Sequence, residues 1–203
     1  MTAEEFQRAR RALMRRDPVL APIIKKHGRR SPLDTPVVDP FTALMRTITA
    51  QQISTKAAAT IFGRLAALLP ESATPDALLT LTDDQLRQAG LSRQKSSYLR
   101  DLAAKVKSGE LPVHSLHELT DDDVIEAIVK VKGLGRWSAE MFLMFRLRRP
   151  DVLPVDDLGI VTAIQRAYGL RKRPDAKRIR KIGEAWRPYR TVACWYLWRS
   201  LEP

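Results

Sequence analysis

The sequence is poor in cysteine and has no long apolar run. A single cysteine among 203 residues excludes an intrachain disulfide and an iron–sulfur cluster held by four cysteines. Cys194 lies among apolar residues, so we predict an inert core thiol in a reducing, cytoplasmic setting. No apolar run approaches the ~18 residues of a membrane span. The N-terminal residues lack the apolar h-region of a secretory signal.

Acidic residues are scarce relative to basic ones. The chain has 35 Lys and Arg against 23 Asp and Glu, a formal net charge of +12, and 44% of its residues are apolar. The apolar share supports one large or two small folded domains. The charge predicts a polyanionic partner, with nucleic acid favoured over an anionic membrane surface. Much of the excess positive charge lies in residues 1–30 and 171–190. The alternative explanation for the charge of these two segments is a helix face exposed to solvent.

Strand patterns are missing as well. Nearly every periodic segment has helical spacing, so we predict about ten helices, no sheet, and an all-α fold of two helical subdomains flanking a cleft. Thr82 and Thr120 precede acidic first turns and predict helix caps. Residues 17–40 are rich in proline and turn residues. We expect them to connect a basic helix over residues 1–16 to a helix that begins after Pro40.

The most informative segment is residues 129–139 (VKVKGLGRWSA), which predicts a helix, a two-glycine hairpin and a second helix. Glycine permits positive φ and close backbone approach, and a helix N-terminus suits a phosphate. We therefore predict phosphate binding at the amides near Gly133, Gly135 and Arg136, with Leu134 buried. The carbonyls that curve around the same turn and could hold a monovalent cation are those of Val129, Val131 and Leu134.

Two adjacent carboxylates, Asp156 and Asp157, follow the second helix in an apolar setting. A carboxylate repels phosphates, so in a strongly basic protein it indicates chemistry rather than affinity. The second helix is predicted over residues 136–147. Its expected core residues are Met141, Phe142 and Phe145.

Together these features resemble the helix-hairpin-helix DNA glycosylases of the endonuclease III superfamily. Residues 133–139 match that family's G-Φ-G-x-[KW]-[ST]-A pattern. Further along the chain, the family pattern continues with an aspartate, two variable residues and an aliphatic residue. Asp157 lies 20 residues after Trp137 and has Ile160 at the aliphatic position. The resemblance therefore implies that Asp157 is the catalytic carboxylate. Asp156 stays the alternative, although it would place a glycine at the aliphatic position.

The resemblance extends over residues 35–200 and is strongest for the bacterial 3-methyladenine DNA glycosylase II branch. Residues 48–54 (ITAQQIS) are similar to that branch's loop that enters the minor groove, and residues 90–95 (GLSRQK) to its second wedge loop. A flipped nucleotide leaves a gap in the duplex that a side chain must fill. The DNA-binding residues that the resemblance implies are Gln51, Gln52, Leu91, Gly133, Gly135, Arg136 and Ser138.

The residue after Arg136 decides the implied reaction. Family members that also cut the strand have a lysine there, whereas this chain has Trp137, which cannot form an imine. The resemblance thus implies hydrolysis, in which Asp157 stabilises positive charge on the deoxyribose and orients water. Trp137 and Trp198 are the predicted stacking surfaces for the base. Met141 replaces the branch's tyrosine, so we expect a wider, less aromatic pocket.

We therefore expect a monomeric, monofunctional glycosylase that excises alkylated bases, of 3-methyladenine or 7-methylguanine type, from double-stranded DNA. We expect no resident cofactor and no membrane partner. Residues 1–203 would form one unit, with a central subdomain over residues 41–130, while residues 131–203 plus 1–40 hold the hairpin and the catalytic aspartate. Because forty residues precede Phe41, we expect the sheet domain of longer relatives to be absent. The alternatives are a non-catalytic DNA-binding module and a glycosylase of the same superfamily for another lesion.

Overall fold

The computed structural model describes residues 1–28, 31, 33, 38–70 and 73–202. This part of the chain contains twelve α-helices and no strand, which confirms the all-α prediction with two helices more than expected. In chain order they are α1 (Ala3–Arg16), α2 (Leu20–His27), α3 (Pro40–Ala50), α4 (Thr55–Ala67), α5 (Pro75–Thr80), α6 (Asp83–Gln88), α7 (Arg93–Lys107), α8 (Asp121–Val129), α9 (Arg136–Met141), α10 (Leu158–Ala167), α11 (Ala176–Gly183) and α12 (Arg190–Arg199). None of these helices is long and apolar enough to cross a membrane.

The chain divides into two compact units. One unit is Val37–Phe142 and contains α3 to α9; the other joins Met1–Pro36 to Leu143–Pro203. The hairpin, grouped with residues 131–203 in the sequence analysis, lies in the Val37–Phe142 unit. It does so because α8 packs against α9 and because the hairpin contacts α7 within the same unit.

Local side-chain caps start many of the helices, as the sequence predicts. Thr82 accepts the backbone N–H of Gln85 at 3.2 Å, and the Gln85 side chain accepts the N–H of Thr82 at 2.8 Å. Thr120 caps α8 by accepting the N–H of Asp123 at 3.3 Å. Each cap satisfies a donor that the first helical turn leaves without a partner.

Two helical segments differ from the prediction. Residues 17–40 contain α2, because Leu20 and Ile24 lie one turn apart and bury the same face, while Pro22 falls in the first turn where its missing N–H is tolerated. The helix predicted over residues 136–147 is α-helical only to Met141 and continues as a π-helical turn. The wider turn changes the direction of the following side chains, so Phe145 is 44% exposed rather than in the core.

A buried carboxylate organises the unit formed by the two chain ends. Asp17, after α1, accepts the backbone N–H of Leu20 at 3.1 Å and the indole N–H of Trp186 at 2.7 Å. The Tyr168 hydroxyl also donates to Asp17. Burial, and then the contact with Asp17, raises the pKa of Tyr168 far above its usual value. This network connects the start of α2 to the residues that follow α10 and α11.

Candidate functional site

The two hairpin glycines have different surroundings. Gly133 has φ +80°, and a Cβ at this position would lie 2.1 Å from Cδ2 of Tyr98. Gly135 is the extended N-cap residue of α9, and a Cβ there would meet nothing within 4 Å. Leu134 is buried, as predicted. Gly133 is therefore needed for packing, whereas Gly135 leaves open space at a helix N-terminus that suits a phosphate.

One side of α7 holds the hairpin and the end of α3 in place. Asp101 accepts the backbone N–H of Lys132 at 2.8 Å, and Tyr98 covers the hairpin glycine. Lys95 donates from Nζ to the carbonyl of Thr49 at 2.7 Å. Burial lowers the pKa of the Lys95 amine below its usual value. Three residues spaced three apart on α7 thus position two segments predicted to contact DNA.

The structure separates the two glutamines of the predicted probe loop. The side-chain amide of Gln51 donates to the Gly133 carbonyl at 2.7 Å, so this residue links the loop to the hairpin. Gln52 is exposed and has φ +58°, a left-handed conformation that costs a non-glycine residue about 1–2 kcal/mol. Such strain often marks a functional position. Leu91, the third predicted probe, is 5% exposed and packs inside the protein in this conformation.

A cavity of about 760 Å³ within the Val37–Phe142 unit brings five predicted site residues together. Trp137 is 46% exposed and lines it beside Met141, Gln51, Gln52 and Gly133. Its other lining residues are Arg46, Thr47, Ala50, Ser92, Gln94, Lys95 and Tyr98. Its size is in the range of small-ligand pockets.

The two remaining predicted contacts on α9, Arg136 and Ser138, differ in exposure. Arg136 forms an ion pair with Glu140, with Nε 3.1 Å from Oε1. Ser138 is buried, so its side chain offers little to a ligand. Ser138 is therefore placed to shape the start of α9, whereas the exposed Arg136 can reach a ligand.

Asp157 is the N-cap residue of α10. Its Oδ1 accepts the backbone N–H of Ile160 and the indole N–H of Trp198, both at 2.8 Å. Asp157 is 9% exposed, whereas Asp156 is exposed. The structure therefore places the two adjacent carboxylates in different environments, one held by two donors at a helix N-terminus and the other in solvent.

Two residues beside Asp157 were missed by the sequence analysis. A Cβ on Gly159 would lie 2.9 Å from Cδ1 of Trp198 and 3.1 Å from Oδ1 of Asp157. Phe145 packs against Trp198 with ring centroids 5.8 Å apart. A glycine two residues after the aspartate, at the start of α10, was the available signal for a close approach. The role of Phe145 depends on the π-helical turn, which no sequence pattern indicated.

If Asp157 is the catalytic carboxylate that the resemblance implies, replacing Gly159 with alanine should lower the reaction rate about tenfold. The added Cβ displaces the indole, and loss of its hydrogen bond to a charged group is worth about 1.5 kcal/mol. The control is Gly63→Ala in α4, where a Cβ meets nothing within 4 Å and helix propensity predicts slightly higher stability. Turnover and thermal unfolding of both variants give the comparison; equal turnover would show that the indole contact is dispensable.

Comparison with known proteins gives consistent matches. A family model described as "HhH-GPD superfamily base excision DNA repair protein" matches residues 45–188. DNA-3-methyladenine glycosylase 1 of Schizosaccharomyces pombe is 34% identical over 165 residues, which cover 80% of this chain and 72% of that protein. The solved structure of a 3-methyladenine DNA glycosylase from the same yeast, in complex with abasic DNA, has a TM-score of 0.85 at 31% identity and covers 95% of this chain and 96% of its own. A DNA-3-methyladenine glycosidase from Bacillus halodurans has a TM-score of 0.80 at 38% identity, with 93% and 87% covered.

Proposed function

Since this chain belongs to the HhH-GPD superfamily of base excision DNA repair proteins, we propose that it is a monomeric, monofunctional glycosylase. It would remove alkylated bases from double-stranded DNA by hydrolysing the N-glycosidic bond. The observation that carries this proposal is Asp157, a mostly buried carboxylate held by two donors in a protein of net charge +12. A carboxylate adds nothing to the binding of a polyanion, so its ordered placement supports a chemical role. The relatives named as 3-methyladenine glycosylases support the alkylated-base substrate.

In the proposed reaction the bond between C1′ and the base nitrogen breaks, and the electron pair leaves with the base. Positive charge develops on the deoxyribose, and Asp157 stabilises it and orients the water that attacks C1′. A base that is N-alkylated already carries positive charge and leaves as a neutral molecule, so it needs little help from a general acid. Trp137 replaces the lysine that would form an imine, and we expect no strand cleavage by the enzyme itself.

The proposed roles in DNA binding follow the placement of each residue. The amides at Gly133, Gly135 and Arg136 bind a phosphate, and the exposed Gln52 fills the gap left by the flipped nucleotide. Gln51 keeps the probe loop attached to the hairpin. The candidate ligands of a monovalent cation stay Val129, Val131 and Leu134. The Val131 carbonyl accepts the N–H of Leu134 at 3.0 Å, which leaves its second lone pair for a cation.

Release of bases from alkylated duplex DNA tests the proposed function. We expect free methylated purines and abasic sites that break only after alkali. Binding without base release would favour the non-catalytic DNA-binding module. Release of another lesion from a panel of defined duplexes, without release of 3-methyladenine or 7-methylguanine, would favour a different glycosylase of the superfamily. Breaks without alkali would contradict the monofunctional assignment.

Excision of 3-methyladenine should be at least about tenfold faster than excision of hypoxanthine in the same duplex, because a cationic base gains up to ~2 kcal/mol over an aromatic ring when desolvated. Hypoxanthine is neutral and lacks both this contact with Trp137 and the activated leaving group. The adaptable side chain of Met141 should admit several alkylated bases. Single-turnover rates for wild type and Trp137→Leu measure the effect. Equal rates for the two lesions in the wild type would refute recognition by charge.

A further inference from the structure

A strongly cationic segment follows the C-terminus of α10. Residues 171–181 comprise a loop and the first six residues of α11, and they hold half of the chain's formal net charge. Its seven basic residues, all exposed, are Arg171, Lys172, Arg173, Lys177, Arg178, Arg180 and Lys181. We call residues 171–181 the cationic arm.

Within the part of the chain that the structure describes, none of the seven side chains forms an ion pair or a hydrogen bond. Two neighbours in sequence behave differently: Arg187 and Arg190 pair with Asp151 at 3.0 and 2.7 Å. The arm's one acid, Asp175, caps α11 by accepting the backbone N–H of Arg178 at 2.7 Å. Clustered like charges repel one another, so an external anion is their expected partner.

The apolar side of α11 is already occupied by the protein core. Ile179 and Gly183 are buried, and a Cβ on Gly183 would lie 2.7 Å from Cδ2 of Leu153. The basic residues of α11 therefore point away from the core. A helix that inserts into a membrane surface needs an accessible apolar face. The arm has none, so a purely electrostatic partner is favoured over a lipid surface.

We propose that the cationic arm binds the phosphate backbone of duplex DNA at a second place, separate from the carboxylate site. Asp157 caps the start of α10 and the arm follows its other end, a helix length of about 15 Å for ten residues. Seven cations spread over a loop and a helix suit a regular row of phosphates rather than one small anion. The arm keeps the protein on undamaged DNA, or holds a second DNA segment, while the lesion site is empty.

The test compares two variants with the same loss of charge. The arm variant is Lys172→Gln/Lys177→Gln/Lys181→Gln. The control is Lys25→Gln/Lys26→Gln/Lys107→Gln, three exposed lysines on α2 and α7. Affinity for an undamaged duplex of about three helical turns is measured over a range of salt concentrations. Each phosphate contact contributes about 0.9 to the magnitude of the slope of log K against log salt concentration. The three substitutions in the arm variant should therefore make this slope shallower by about 2–3. The control should keep the wild-type slope.

A second measurement separates the arm from the lesion site. At saturating enzyme, the arm variant should excise a lesion from a duplex of about one helical turn at the wild-type rate. Loss of that rate would overturn the separation, and equal slopes for the two variants would overturn DNA binding by the arm. If the arm variant no longer bound immobilised polyglutamate but kept the wild-type salt dependence for DNA, the partner of the arm would be an acidic protein. This result would also overturn the proposal. Because the salt dependence of affinity is measured without base release, DNA binding by the arm can be supported or overturned independently of the proposed glycosylase activity.

Discussion

Replacing Asp157 with asparagine should lower the rate of base release about 10²–10³-fold while leaving the fold and the affinity for DNA intact. Two donors to Asp157, the Ile160 N–H and the Trp198 indole N–H, bind the same oxygen, Oδ1. The amide oxygen of asparagine can keep both hydrogen bonds, and asparagine caps helices as well as aspartate does. Only the negative charge is lost. Removing one such preorganised group lowers rates by about 10²–10³, and single-turnover excision of an alkylated base measures this loss.

Asp156→Asn is the matched control for this experiment. It removes the same charge one residue earlier, from an exposed side chain, and should keep nearly full activity. Thermal unfolding and affinity for undamaged duplex should be close to wild type in both variants. Full activity in Asp157→Asn together with a loss in Asp156→Asn would transfer the catalytic role to the neighbouring residue.

Gly135→Val should weaken binding to all DNA sequences about 100-fold. A Cβ at Gly135 meets nothing within 4 Å, and its backbone, with φ −104° and ψ −178°, is extended, so valine should fit the unbound protein. In the complex the branched side chain occupies the space that a phosphate must enter. Two lost amide–phosphate hydrogen bonds at about 1.5 kcal/mol each account for the expected change. Equilibrium titrations with damaged and undamaged duplexes measure it.

Gly133→Ala provides the contrast at the other hairpin glycine. Its Cβ would overlap the Tyr98 ring and its backbone has φ +80°, so this variant should lose thermal stability as well as binding. Gly135→Val replaces a favoured N-cap residue but adds no clash, so its melting temperature should fall less than that of Gly133→Ala. Unchanged affinity in Gly135→Val would remove the hairpin from the DNA interface, even if Gly133→Ala binds weakly because it is partly unfolded.

The sequence by itself determined the features that depend on near neighbours. Helical periodicity and threonine caps predicted an all-α chain, since a cap and its helix lie within three residues of each other. The two glycines predicted the hairpin for the same local reason, and Leu134 between them is buried as predicted. Net charge predicted a polyanionic partner, because formal charge needs no fold to be counted.

Only the tertiary structure decided which of two adjacent candidates is held in place. Asp157 is distinguished from Asp156 by Trp198, which lies 41 residues away, and Gln51 is distinguished from Gln52 by a hairpin carbonyl 82 residues away. Similarly, Asp151 pairs with Arg187 and Arg190, whereas none of the described residues pairs with the basic side chains of the cationic arm. The contacts with Trp198, the Gly133 carbonyl and Asp151 join residues that folding brings close from distant parts of the chain, so the local sequence around either partner does not show them.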